Sequence, residues 1–122
     1  MVRGIGVDIV ELEQFEKVEK NEGFLQEVFT ERERDDIAGR NLRGRFYAML
    51  FSAKESTLKS LGCGLHFGFH WHDIEINSEL KPQLHGLISN LADEASVSKI
   101  NIAASRSRKY SVAFVIIEDQ KG

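Results

Sequence analysis

Cysteine, proline and long apolar runs are what this 122-residue sequence has least of. The single cysteine, Cys63, excludes an internal disulfide and any all-cysteine zinc site. With one proline, Pro82, and ten glycines spread along the chain, there is no Pro- or Gly-rich linker, and a single domain spanning 1–122 is expected. The longest apolar runs, such as VAFVII, are far too short to cross a bilayer. Positive charge is not in excess either. Sixteen Lys and Arg against nineteen Asp and Glu give a formal net charge of −3. That balance speaks against a nucleic-acid surface or a polybasic membrane anchor. The first residues lead directly into a strand-like segment, without the basic region and apolar stretch of a signal peptide. A cytoplasmic protein is the expectation, with neither nucleic acid nor membrane as partner.

What is present is periodic. Residues 2–10 alternate as a strand, with Ile5, Val7 and Ile9 on one side and Gly4, Gly6, Asp8 and Val10 on the other. Residues 11–19 carry Leu12, Phe15 and Val18 at helical spacing. Asn21, Glu22 and Gly23 break that helix, and 24–29 reads as a short apolar turn. Thr30 followed by Glu33 has the pattern of a capping box. The longest helix is expected at about 42–61, with Phe46, Leu50, Phe51, Leu58 and Leu61 forming its apolar stripe and Gly62-Cys63-Gly64 ending it. Residues 73–77 alternate as a strand, with 82–85 as a partner, and 84–95 has helical spacing. Residues 98–105 and 110–118 form a final hairpin closed by the SRSRK turn. This order predicts an α+β fold, with helices packed on one face of a mainly antiparallel sheet.

Three places carry residues suited to chemistry. Asp8 is unusual within a strand, where a charge needs a partner. Two readings are open: it caps the helix that follows, or it serves a ligand that the bare glycine side lets approach. The second place is the helix segment at 51–64. Lys54, Glu55 and Lys59 stand there in an otherwise apolar stretch. Glu55 and Lys59, spaced i, i+4, form either a surface ion pair or part of a cation site. In the latter, Asp8 and Glu55 supply two hard oxygen ligands for magnesium and the lysines face phosphate. The third place is the hairpin turn, where Ser105, Arg106, Ser107, Arg108 and Lys109 form either a solvated tip or a phosphate grip. The histidines His66, His70, His72 and His85 lack a spacing that completes a tetrahedral metal set, and the loop carrying three of them reads as a wall or interface.

Taken together, GIGVDIVELE, FSAKESTLKSLGCG and ASRSRKYSVAFVI resemble, in order and spacing, the holo-acyl-carrier-protein synthase type of 4'-phosphopantetheinyl transferase. The resemblance implies an enzyme that moves the 4'-phosphopantetheine arm of coenzyme A onto a serine of an apo acyl carrier protein and releases 3',5'-ADP. It implies Mg2+ held by Asp8 and Glu55, and phosphate or leaving-group contact from Lys59, with Lys54 beside it. Gly62 and Gly64 would form the turn near the nucleotide, and Ser105 with Arg106 would close over the phosphates. It also implies a homotrimer with coenzyme A in clefts between subunits. The chain departs from the family pattern at three points: Gln14 and Leu50 stand where arginine is usual, and Arg106 stands where histidine is usual. A non-catalytic relative that binds coenzyme A or a carrier protein without transfer is the alternative these departures leave open.

Overall fold

A computed structural model describes residues 1–62 and 68–120. Its sheet starts from the alternating first segment, strand β1 (Val2–Glu11), and from the hairpin β4 (Val97–Arg106) and β5 (Tyr110–Asp119). β5 lies in the centre, antiparallel to both neighbours, in the order β1-β5-β4. Asp8 pairs with Ala113, and Ala113 with Ala104, so this row lies on one face. Ile9, Val112 and Ser105 form the next row, on the opposite face. A two-stranded ribbon, β2 (Ile74–Ile76) with β3 (Pro82–Leu84), is built from the predicted partners. No described helix is long and apolar enough to cross a membrane.

Among the described residues, five α-helices pack around this frame: α1 (Leu12–Val18), α2 (Glu22–Val28), α3 (Glu31–Ala38), α4 (Arg43–Ser60) and α5 (Gly86–Glu94). The expected turn at 24–29 is instead most of α2. Asn21 accepts a hydrogen bond from the Phe24 amide and so starts a helix at the place read as a break. α3 has the predicted capping box, with Thr30 and Glu33 bonded reciprocally. The aromatic core joins these helices: Phe15 packs on Phe24 and Phe51, and Phe51 on Trp71.

α4 determines where the site forms. It lies directly against β1, and the two glycines are the reason. A Cβ added at Gly6 would fall 1.9 Å from the Ser56 carbonyl oxygen, and one at Gly4 would fall 2.1 Å from that of Ser60. The bare side of β1 thus admits the backbone of α4 itself. Ser56 strengthens the seam by donating its hydroxyl hydrogen bond to the Ala113 carbonyl at 3.1 Å. Gly6→Ala is expected to push α4 off the sheet and cost about 1–3 kcal/mol of stability, as overpacking does. Urea unfolding would measure the loss; an unchanged midpoint would show that the seam is slack.

The apolar side of β1 has the opposite fate. Ile5, Val7 and Ile9 are 56%, 41% and 65% exposed, and Phe114, paired with Val7 across the sheet, is 42% exposed.

Candidate functional site

The close seating of α4 on β1 brings Glu55 and Lys59, one turn apart, over the strand position of Asp8. Asp8 is buried. Lys59 Nζ donates to Asp8 Oδ1 at 2.9 Å and to the Val7 carbonyl at 3.2 Å. The helix preceded by Asp8 takes Glu11 as its N-cap residue, so Asp8 is not the cap that the sequence left open. Nor is the lysine's ion-pair partner the glutamate one turn back: the pair within bonding distance is Lys59 with Asp8.

The Glu55 carboxyl lies half-buried against Asp8. Burial pushes its pKa above the ordinary value; the Asp8 charge and a hydrogen bond with Asp8 act in the same direction, while Lys59 opposes them. The hydrogen bond to Asp8 holds the Lys59 ammonium above its ordinary value. Two adjacent carboxylates share the influence of one ammonium, which bonds Asp8 alone of the two. The ammonium already occupies a place among hard oxygens, Asp8 Oδ1 and the Val7 carbonyl. That donor set suits a hard divalent ion such as magnesium, which often uses only one or two protein carboxylates.

The raised Glu55 carboxyl has a stability consequence. The folded protein holds that proton more tightly than the unfolded chain, so stability falls as pH climbs from the ordinary carboxylate value through the raised one. Above that window the ionised group is unfavourable in metal-free protein. Glu55→Gln is therefore expected to raise the melting temperature in chelator by roughly 2–5 °C at about pH 8, and to change it little at about pH 4. Scanning calorimetry of both proteins checks this, and a lower melting point for the variant at the higher pH would contradict it.

Lys54, which the resemblance places beside phosphate, is not available to one. It is fully buried and points away from Asp8, into the body of the protein. Its Nζ lies 2.6 Å from Glu33 Oε1, donates to the Val28 carbonyl at 2.7 Å and to that of Trp71 at 3.3 Å, and sits over the Phe29 ring. Burial pushes the Lys54 pKa down, with Glu33 opposing. Lys54 is therefore an interior brace.

Of the other expected residues, Gly62 follows α4 with φ of 73°, a left-handed turn that favours glycine. Gly64, Cys63 and His66 lie outside the described residues. Ser105 is on the outer face of the sheet, in the row of Ile9, away from Asp8. Arg106 turns to α4, where its guanidinium lies 4.8 Å from the Phe46 ring centroid; that of Arg40 lies 4.5 Å from the same ring. Phe46 precedes Glu55 by nine residues, roughly 13 Å along the helix axis and on its opposite side. Within one chain Arg106 and the Asp8 site therefore do not meet. Leu50, one turn after Phe46, is a core residue.

The sequence reading missed Glu33 as the partner of Lys54 and Arg40 as the companion of Arg106. Glu33 was visible only as a cap; a lysine amid apolar helix residues was the sign that it needed a buried acid. Arg40 stood in a run of arginines and carried no distinguishing signal.

Comparison with known proteins places the chain in a family. A model described as the 4'-phosphopantetheinyl transferase superfamily matches residues 4–115. Holo-[acyl-carrier-protein] synthase of Geobacter sulfurreducens is 36% identical, over 97% of this chain and 98% of the relative. The crystal structure of holo-[acyl-carrier-protein] synthase from Neisseria meningitidis superposes with a TM-score of 0.82 at 26% identity, over 98% of this chain and 100% of the other. That of the Bacillus anthracis holo-(acyl-carrier-protein) synthase, in complex with CoA (3',5'-ADP), does so with a TM-score of 0.76 at 30% identity, over 98% and 99%.

Proposed function

Because the chain belongs to the 4'-phosphopantetheinyl transferase superfamily, we propose that it transfers the 4'-phosphopantetheine group of coenzyme A to a serine of an apo acyl carrier protein, dependent on magnesium held by Asp8 and Glu55. The observation that carries the site assignment is the meeting of Asp8, Glu55 and Lys59 across the β1–α4 seam.

In this reading the serine oxygen attacks the β-phosphorus of the coenzyme A pyrophosphate. A new P–O bond forms to serine, and the bond to the departing 3',5'-ADP breaks. Such a reaction needs in-line positioning and charge neutralisation more than a covalent intermediate. Magnesium, when bound, would supply much of that neutralisation at the pyrophosphate. The ammonium of Lys59 neutralises charge on the leaving phosphate. Glu55, whose carboxyl lies beside Asp8 at the site, is the residue that would take the serine proton. Gly62 turns the chain beside the nucleotide.

The same reading makes the protein a homotrimer. The exposed apolar row of Ile5, Val7, Ile9 and Phe114 is a surface that monomers rarely leave in water, and it supports burial against further copies. Ser105, on the opposite face of the sheet from its own Asp8, and Arg106, which lies against Phe46 away from it, would then serve the site of a neighbouring copy. Sedimentation would read the mass directly, and a monomer at micromolar concentration would contradict it.

The activity is tested by incubating the protein with coenzyme A, magnesium and a panel of apo carrier proteins, followed by mass spectrometry. A phosphopantetheine mass gain on a carrier serine is expected. No gain on any partner would count against transfer, and tight coenzyme A binding without it would favour the non-catalytic alternative.

A further inference from the structure

The ion pair at the centre of the site is lopsided. Asp8 is buried, with only 10% of its side chain exposed, and is fixed in the middle of β1, whereas the Lys59 side chain is 53% exposed. The ammonium is held by two contacts, Asp8 Oδ1 and the Val7 carbonyl, the latter on a strand at the edge of the described sheet. The aspartate cannot leave, but the lysine can, on a long flexible stem reaching solvent. Its Nζ takes up the Asp8 oxygen that a hard cation would need. One positive charge cannot balance two carboxylates, and a divalent ion can.

We propose that Lys59 is the resident counter-ion of the Asp8–Glu55 pair, displaced by the entering divalent ion and thereby released towards the substrate phosphates. This rests on the metal assignment made above. It gives one lysine two successive positions: against Asp8 in the metal-free protein, and against phosphate once the metal occupies the carboxylates. The metal-free site is kept from collapsing into carboxylate repulsion. The phosphate-binding cation becomes free only when the metal is in place, so metal and pyrophosphate bind cooperatively. By linkage, pyrophosphate must strengthen metal binding to the same degree. The competition also weakens the metal's apparent affinity, because only the fraction of molecules with Lys59 swung out can accept it.

The test is direct titration of Mn2+ into chelator-stripped protein, followed by electron paramagnetic resonance, with no coenzyme A present. Lys59→Met is expected to bind Mn2+ about tenfold more tightly than the unaltered protein. Adding inorganic pyrophosphate should tighten Mn2+ binding in the unaltered protein and do so much less in Lys59→Met. Lys59→Gln serves as a second variant, shorter, polar and uncharged, and thermal melts confirm that both fold. Equal or weaker Mn2+ binding by the two variants overturns the displacement while leaving the metal assignment standing. If no protein binds Mn2+, or if Asp8→Asn binds it as well as the unaltered protein, the metal assignment falls and the displacement with it. A merely structural lysine would give weaker metal binding when removed, the opposite of the expected sign.

Discussion

Lys54→Ala is expected to lower the unfolding free energy by about 3–5 kcal/mol, the usual cost of removing one partner of a buried ion pair. For a domain of this size that corresponds to a fall of roughly 10–20 °C in melting temperature. The reason is what remains behind. Glu33 is 1% exposed, and its Oε1 accepts from both Lys54 and the Thr30 amide, while Oε2 accepts from the Ile76 amide at 2.8 Å. Loss of the ammonium leaves a carboxylate buried with amide donors alone. The Val28 carbonyl, at the end of α2, loses its donor as well. Through this one cluster α2, α3, α4 and β2 are tied together, so the damage spreads across the helical side of the molecule. Lys54→Met with Glu33→Gln, which removes both charges and keeps the volume, should recover a large part of the loss. Calorimetry on the single and double variants decides the matter. A single variant within 1 kcal/mol of the parent, on the order of an exposed pair, would show that the cluster is wetter than the geometry indicates.

Asp8→Ala and Glu55→Ala are each expected to reduce transfer to the carrier protein by about 10²–10⁴-fold in kcat/KM, in the range for loss of charge stabilisation at a reacting phosphate. The loss should not come from unfolding. Asp8→Ala frees a lysine that already reaches solvent, and Glu55→Ala relieves repulsion between neighbouring carboxylates. Melting temperatures near that of the parent should therefore accompany the loss of rate. Conversion of apo to holo carrier, read by mass spectrometry over a magnesium series, is the measurement. Full activity in both variants would sink the metal assignment. Activity lost in Lys54 variants only in proportion to their unfolded fraction would show that the first lysine of the K-E-x-x-x-K segment acts through the fold and the second at the substrate.

The two lysines show where sequence reading reached its limit. Both stand in the same helix, five residues apart, and both fit a motif read as substrate-facing. At 100° per residue their directions diverge widely, and only the elements packed on each side decide what they meet. Lys54 meets the interior and Glu33; Lys59 meets the strand and Asp8. The same limit applies to Arg106. Its place at the end of the final hairpin was legible, but its stacking on Phe46, shared with Arg40, depends on how the hairpin lies across α4. The helix at α2 was missed for a local reason: Asn21 was read as a breaker, and in this setting the same side chain is an N-cap.

By itself the sequence determined the α+β order of elements, the period-two sorting of Gly4, Gly6, Asp8 and Val10 to one side of β1, the long central helix, and the joint presence of Asp8, Glu55 and Lys59. These follow from periodicity and spacing, which act locally along the chain. The tertiary structure alone decided that the glycines exist to admit α4, that this contact places two carboxylates and one ammonium together, and that Lys54 braces the interior. Those facts depend on contacts between residues about fifty apart for the site and about twenty for the brace. They are set by how closely two backbones can approach, a distance governed by the absence of two Cβ atoms rather than by any side chain with chemistry of its own.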